Sequence, residues 1–302
     1  MKAPRPVRLA GGITLDVWEE GPEQAPALLF LHGFPESGRA WRHQIAHLAG
    51  RYRCIAPDQR GYGGSSKPAA VADYALPALA GDVLALAEAL GIARFALAGH
   101  DWGGMVAWAA AIADAARPVA ERRIERLVIA NAPHPWLFAR LLWLDAQQRR
   151  ASAYIPQLCS PAIDGVLATQ GLGPVLLRAF GDGALAAMEV DERRALFARW
   201  ADPAQALAMV NWYRASGVVV PPAEAPLALP ADWQQPAAPT LGLPTLVLWG
   251  EADTALVPAN LAGLADLCTD LAIERLPGVG HFSPWQAPAA VNAALDRFLL
   301  GG

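Results

Sequence analysis

The segment Gly99-His100-Asp101-Trp102-Gly103-Gly104 constrains this chain more than any other. It follows directly on the short apolar run Phe95-Ala96-Leu97-Ala98 and opens an alanine-rich, helix-like stretch from Met105 to Ala116. A glycine two positions before a polar residue, and two more at two and three positions after it, suit a sharp turn from strand to helix. Without Cβ atoms the backbone can bend tightly, and the central side chain then stands exposed above the strand end. Here that side chain belongs to Asp101.

In the plain structural reading Asp101 simply caps the helix, since aspartate is a good N-cap. The chemical reading is more specific. A serine or cysteine in this position must lose a proton before it attacks, so it needs a base in the first step. An aspartate, with a reference pKa of about 3.9, is already ionised. Its attack on an ester or amide would give an anhydride and gain nothing. Attack at saturated carbon gives an ester of the enzyme's own side chain, which water can cleave. As a nucleophile, Asp101 therefore narrows the substrate to an alkylating electrophile such as an epoxide or an organohalide.

The rest of the chain alternates strand and helix signals. Short apolar runs bounded by turn residues occur at Ala27–Leu31, Arg53–Ala56, Phe95–Ala98, Leu127–Ala130, Thr245–Trp249 and Ala272–Leu276. Helix-like stretches such as Asp82–Leu90, Met105–Ala116 and Leu261–Leu267 lie between several of them. That order predicts an α/β fold, a mainly parallel sheet flanked by helices. From about Trp136 to Pro239 helical patterns take over, at Leu137–Arg150, Val175–Phe180, Glu192–Trp200 and Ala204–Ala215. This stretch reads as an inserted helical cap. The proline-rich tract from Pro221 to Pro244, which includes Pro236 and Pro239, reads as the strap returning to the sheet. The expected division is a core of residues 1–135 and 240–302, with residues 136–239 as cap and strap.

Composition removes several classes of function. A net charge of -4 with no long basic run argues against nucleic acid as a partner. No apolar run reaches the roughly 18 residues that a membrane span needs; the segment Gly81–Gly99 comes nearest and is broken by Asp82, Glu88 and Arg94. The start of the chain lacks a basic-then-apolar signal segment. Cys54, Cys159 and Cys268 are far apart with no paired spacing. That suits a reducing cytoplasm and offers neither a disulfide framework nor a metal site.

In an open α/β sheet functional groups collect on loops at the carboxyl ends of the strands. Those loops are His32-Gly33-Phe34-Pro35-Glu36, the segment from Asp58 to Ser65, Asn131-Ala132-Pro133-His134-Pro135, Gly250-Glu251-Ala252-Asp253 and Gly280-His281-Phe282. Together with the turn at Asp101, their order and spacing resemble the α/β-hydrolase fold. Within it they resemble the soluble epoxide hydrolases, its aspartate-nucleophile branch, over almost the whole chain. The resemblance implies that Asp101 is the nucleophile, Asp253 the acid that orients the base, and His281 the base that activates water. Glu251 is the competing acid, which the family pattern does not favour. The backbone N–H groups of Phe34 and Trp102 would form the oxyanion hole. A cis or tightly turned Phe34-Pro35 bond is expected to aim the first of them inward. His32 and His100 are expected to be packing supports, and His43 and His47 ordinary helix residues.

The leaving group decides the substrate. An opening epoxide makes an alkoxide that needs a proton or a strong donor, whereas a departing halide needs only N–H dipoles. Of five tyrosines, Tyr154 and Tyr213 fall in the cap. Tyr213, in Asn211-Trp212-Tyr213-Arg214, and Tyr154, in Ser152-Ala153-Tyr154, resemble the family's ring-opening pair. With Phe34 and Trp102 they would also bind substrate. The bland alternative is that both phenols merely pack.

The nearest rival is a haloalkane dehalogenase. In that family the tryptophan after the nucleophile gives its indole N–H to the halide, and Trp143, Trp200 or Trp212 could add a second donor. Against it, Phe34 stands where many relatives carry a halide-binding asparagine. Haloacetate dehalogenases place arginines beside the nucleophile, where this chain has Trp102 and Met105. A catalytically idle binding protein of the same fold is the reading from another class. The expectation is an enzyme without cofactor or metal, acting on a small hydrophobic epoxide and water.

Overall fold

The structure, a computed structural model, describes residues 2–180, 185, 188–234 and 240–300. The part of the strap holding Pro236 and Pro239 lies outside the described residues. Eight strands form one sheet: β1 (Arg5–Arg8), β2 (Thr14–Glu20), β3 (Ala27–Leu31), β4 (Arg53–Asp58), β5 (Phe95–His100), β6 (Ile124–Ala130), β7 (Thr245–Gly250) and β8 (Leu271–Leu276). Their order across the sheet is β1-β2-β4-β3-β5-β6-β7-β8. The six from β4 to β8 are parallel, and β1 and β2 are antiparallel additions at one edge.

The six apolar runs of the sequence are the six parallel strands. Strands covered on both faces read as continuous apolar runs, and β3 shows why. Leu28 and Phe30 pack into a cluster with Trp41, Val128, Leu248 and Leu295 on one face. Leu29 and Leu31 join Leu97, Val106, Trp108 and Ile129 on the other. Each such side chain contributes about 1.5–3 kcal/mol on burial. The antiparallel strands β1 and β2 escape this pattern, because most of β1 is exposed and the polar residues of β2 are only half-buried.

Between β6 and β7 the described residues form helices and no named strand. The stretch expected as one helix, Leu137–Arg150, is two: Pro135–Leu144 and Ala146–Ala151. Asp145 divides them, with φ -123° and ψ 116°, and its carboxylate caps the second by accepting from the Gln148 N–H at 2.7 Å. The helix Pro203–Ala215 begins on Asp202, whose carboxylate accepts from Ala204 N–H at 3.0 Å, with proline in the first turn. Its helical spacing puts Met209, Trp212 and Tyr213 together on a buried face. Indole N–H bonds tie this region to the sheet loops, from Trp200 to the Pro35 carbonyl and from Trp212 to the Arg60 carbonyl, each 2.9 Å. Among the described residues no helix is long and apolar enough to cross a membrane.

Candidate active site

Asp101 joins β5 to the helix Trp102–Ala115 with φ 51° and ψ -123°. A non-glycine residue held there costs on the order of 1–3 kcal/mol, so its surroundings must impose the conformation. The glycines around it allow that crowding. A Cβ on Gly103 would lie 2.3 Å from the Leu31 carbonyl oxygen, and one on Gly33 would lie 2.5 Å from the Asp101 Cβ. The β3 loop is thus pressed directly against the aspartate. The Phe34-Pro35 bond in that loop is cis, and the Phe34 N–H donates to Asp101 Oδ1 at 2.7 Å. The Trp102 N–H is a second donor to the same carboxylate.

His281, in the loop after β8, faces Asp101 across 3.4 Å from Nε2 to Oδ2. Its Nδ1 lies 2.7 Å from Oδ2 of Asp253. Asp253 accepts three further bonds: from Ala255 and Leu256 N–H on Oδ1 at 2.8 and 2.9 Å, and from Asn131 Nδ2 on Oδ2 at 2.8 Å. Glu251 instead pairs with Arg275 at 3.1 Å, where both side chains are exposed. Asn131 escaped the sequence reading as a contributor to the site. Its φ is 41°, a conformation that asparagine tolerates better than most residues. Besides holding Asp253, its Oδ1 accepts from Gly250 N–H at 3.0 Å, tying the end of β6 to that of β7. An asparagine directly after a strand in the middle of the sheet is the signal that could have found it.

His100 is fully buried, with Nε2 on the His281 carbonyl at 2.9 Å and Nδ1 on Glu36 at 3.1 Å. Glu36 also accepts from the Trp285 indole at 2.7 Å. His32 Nε2 accepts from Gln59 N–H at 3.1 Å. Both histidines brace backbone around the site, in the supporting place expected of them. His43 and His47 lie on the helix Arg42–Leu48, His43 beside Glu189 at 3.3 Å and His47 beside Asp296 at 2.7 Å.

Burial alone would raise the Asp101 pKa, but the hydrogen bond and charge of His281 outweigh it and hold the carboxyl below its ordinary value. Burial alone would lower the His281 pKa. The charges and hydrogen bonds of Asp253 and Asp101 reverse that and lift the imidazole well above its ordinary value. Each of the two groups thus favours the charged form of the other.

Above Asp101 sit the two phenols. Tyr213 packs edge-on against Phe34 at 5.0 Å, Trp102 at 5.1 Å and Tyr154 at 5.9 Å between ring centres. Its hydroxyl shares hydrogen bonds with Tyr154 and with the Trp102 indole. Burial and the nearby Asp101 charge raise both phenol pKa values, so both keep their protons. Trp200 and Trp212, candidates for holding an anionic leaving group, instead donate to backbone carbonyls, while Trp143 lines a neighbouring cavity of about 550 Å³ that also touches Trp102. A second cavity of about 570 Å³ is bounded by Phe34 and Tyr154 and walled by Leu158, Ile163, Val175 and Leu176.

The chain matches the family described as alpha/beta hydrolase fold over residues 26–288. It is 31% identical over 289 residues to Epoxide hydrolase 2 of Caenorhabditis elegans, covering 93% of this chain and 76% of that protein. It is likewise 31% identical over 290 residues to the AB hydrolase superfamily protein YfhM of Bacillus subtilis (strain 168), covering 95% of each. Among solved structures, it is similar to one of the novel epoxide hydrolases from metagenomes of hot environments, with TM-score 0.95, 48% identity and full coverage of both chains. The Bacillus megaterium epoxide hydrolase with an inhibitor follows at TM-score 0.84 and 26% identity, over 98% of this chain and 100% of that one.

Proposed function

The chain belongs to the epoxide hydrolases of the alpha/beta hydrolase fold family, and on that premise we propose that it opens a small hydrophobic epoxide through an ester on Asp101. The observation that carries this reading is the meeting of three parts: an ionised Asp101, His281 Nε2 at 3.4 Å, and two protonated phenols sharing a hydrogen bond above them. We read residues 1–135 and 240–302 as core and 136–239 as cap and strap.

In the first step an Asp101 oxygen forms a bond to one epoxide carbon and that carbon's bond to the ring oxygen breaks. The electron pair goes to the ring oxygen, which takes a proton from Tyr154 or Tyr213. An alkoxide is a stronger base than either phenolate, so the raised phenol pKa values do not prevent the transfer, and solvent restores the phenol. In the second step His281, having first given its imidazolium proton to solvent, takes a proton from water as the water oxygen attacks the Asp101 carboxyl carbon. The Phe34 and Trp102 N–H groups hold the resulting oxyanion, each worth about 10²–10³ in rate. Collapse frees Asp101, and the leaving oxygen takes its proton from His281, giving a diol. Asp253, gripped by Asn131 and the two loop N–H groups, steadies the imidazolium.

Removing the charge of Asp101 has a consequence for His281. In the ester, the two contributions of Asp101 that raise the imidazole pKa are lost and those of Asp253 remain. The pKa must therefore fall on alkylation, which turns His281 from an acid into a base at the moment a base is needed. In single-turnover experiments ester hydrolysis should rise with pH and level off. Its midpoint should lie below the pKa of His281 measured by NMR titration of the free enzyme. A midpoint equal to or above that value contradicts the account.

Incubation with styrene oxide and, separately, with 1-bromobutane tests the reading: diol from the first and no bromide from the second is expected. Bromide without diol favours a dehalogenase. The phenols can be tested step by step. Tyr213→Phe should slow alkylation by about 10²-fold, the lower range for a lost general acid. Hydrolysis of ester already formed should change far less. Rapid-quench mass spectrometry separates the two, and equal losses in both steps would remove Tyr213 from ring opening.

A further inference from the structure

Gln148, on the helix Ala146–Ala151, is fully buried, and every hydrogen-bonding position of its amide is occupied. Its Nε2 donates to the Ala255 carbonyl and to Ser152 Oγ, each at 2.9 Å. Its Oε1 accepts from Val257 N–H at 2.9 Å and from Asn260 Nδ2 at 2.7 Å. One end of this cluster is the loop after β7, whose Ala255 and Leu256 N–H groups hold Asp253. The other end is Ser152, two residues before Tyr154, whose carbonyl accepts from the Ile155 N–H at 3.0 Å. The segment that carries a phenol and the loop that carries the acid are thus pinned to one side chain. An amide is needed there because the Ala255 carbonyl and the Ser152 hydroxyl oxygen lie on one side and two N–H donors on the other; a carboxylate would face the Ala255 carbonyl without a proton to offer.

We propose that Gln148 is a positioning residue that fixes Tyr154 relative to Asp253 and so couples ring opening to ester hydrolysis. This rests on the epoxide hydrolase reading. Displacing a reacting group by about 1 Å can cost up to about 10²-fold, and a buried apolar side chain here would also leave the Ala255 carbonyl and Val257 N–H unpaired. Methionine matches glutamine in length, so Gln148→Met removes the hydrogen bonds while filling the space.

The test is a double-mutant cycle on single-turnover rates with styrene oxide. Alkylation and hydrolysis should each fall by about tenfold in Gln148→Met. In a chain already carrying Tyr154→Phe, adding Gln148→Met should leave alkylation nearly unchanged, because the group being positioned is gone. General loosening of the fold would impose the same factor in both backgrounds. That outcome, or unchanged alkylation in Gln148→Met alone, overturns the proposal. Should Gln148→Met fail to fold, Ser152→Ala decides, since it cuts only the tether to the Tyr154 segment. Alkylation should then drop about threefold with hydrolysis within twofold of wild type, and unchanged alkylation overturns the proposal. Wild-type adduct is measured first: without it the epoxide reading fails and this inference falls with it, whereas wild-type turnover with no coupling defeats the inference alone.

Discussion

His281→Gln should give a protein that reacts with an epoxide once and then stops. Asp101 keeps its Phe34 N–H donor at 2.7 Å and the Trp102 N–H, and both phenols stay in place, so alkylation still proceeds. It should slow somewhat, because the imidazolium that holds Asp101 ionised is gone. Hydrolysis of the ester loses its base and should fall by about 10²–10⁴-fold. The stalled ester should appear by intact mass as the protein plus one epoxide, and the added mass should lie on the peptide that contains Asp101. Diol formation without any accumulated adduct would show that His281 is not the base for the second step.

The second large effect is expected at the nucleophile itself. Asp101→Asn is close to isosteric, and asparagine tolerates the φ of 51° that the elbow imposes. The fold should therefore survive while the attacking oxygen is lost. Loss of a nucleophile in a covalent mechanism removes about 10⁴-fold or more of the rate. Diol formation from styrene oxide by gas chromatography should drop to the uncatalysed level, and no adduct should form even when His281→Gln is added. Retention of a tenth of wild-type activity would mean that water attacks the epoxide directly, with Asp101 as a mere charge.

Asp101, Asp253, His281 and Phe34 were legible because each closely follows one of the short apolar runs that mark the parallel strands, and because the order of those loops resembles that of the soluble epoxide hydrolases. Tyr213 was legible because the segment Asn211-Trp212-Tyr213-Arg214 resembles the cap motif of the family. Other features could not be read this way. Strands β1 and β2 lie at an antiparallel edge, where Arg5, Glu19 and their neighbours reach solvent or pair with one another. They form no apolar run to detect. The helix break at Asp145 is a capping event inside an otherwise continuous pattern, which apolar spacing does not register. Asn131 and Gln148 are polar residues whose meaning lies in partners 122 and 109 residues away. Only the place of Asn131 directly after a strand hints at its role, and nothing near Gln148 in the sequence marks it as buried and fully bonded. The cis bond at Phe34-Pro35 was among the conformations expected, and the Phe34 N–H does point at Asp101.

The most direct measurement of the central claim follows oxygen through a single turnover. Enzyme in excess over styrene oxide is mixed in water enriched in oxygen-18, and both products are analysed by mass. If Asp101 forms the ester, the first diol carries an ordinary oxygen taken from the carboxylate, and the Asp101 peptide gains the heavy isotope from water. Heavy oxygen in that first diol, with an unlabelled Asp101 peptide, would contradict the account.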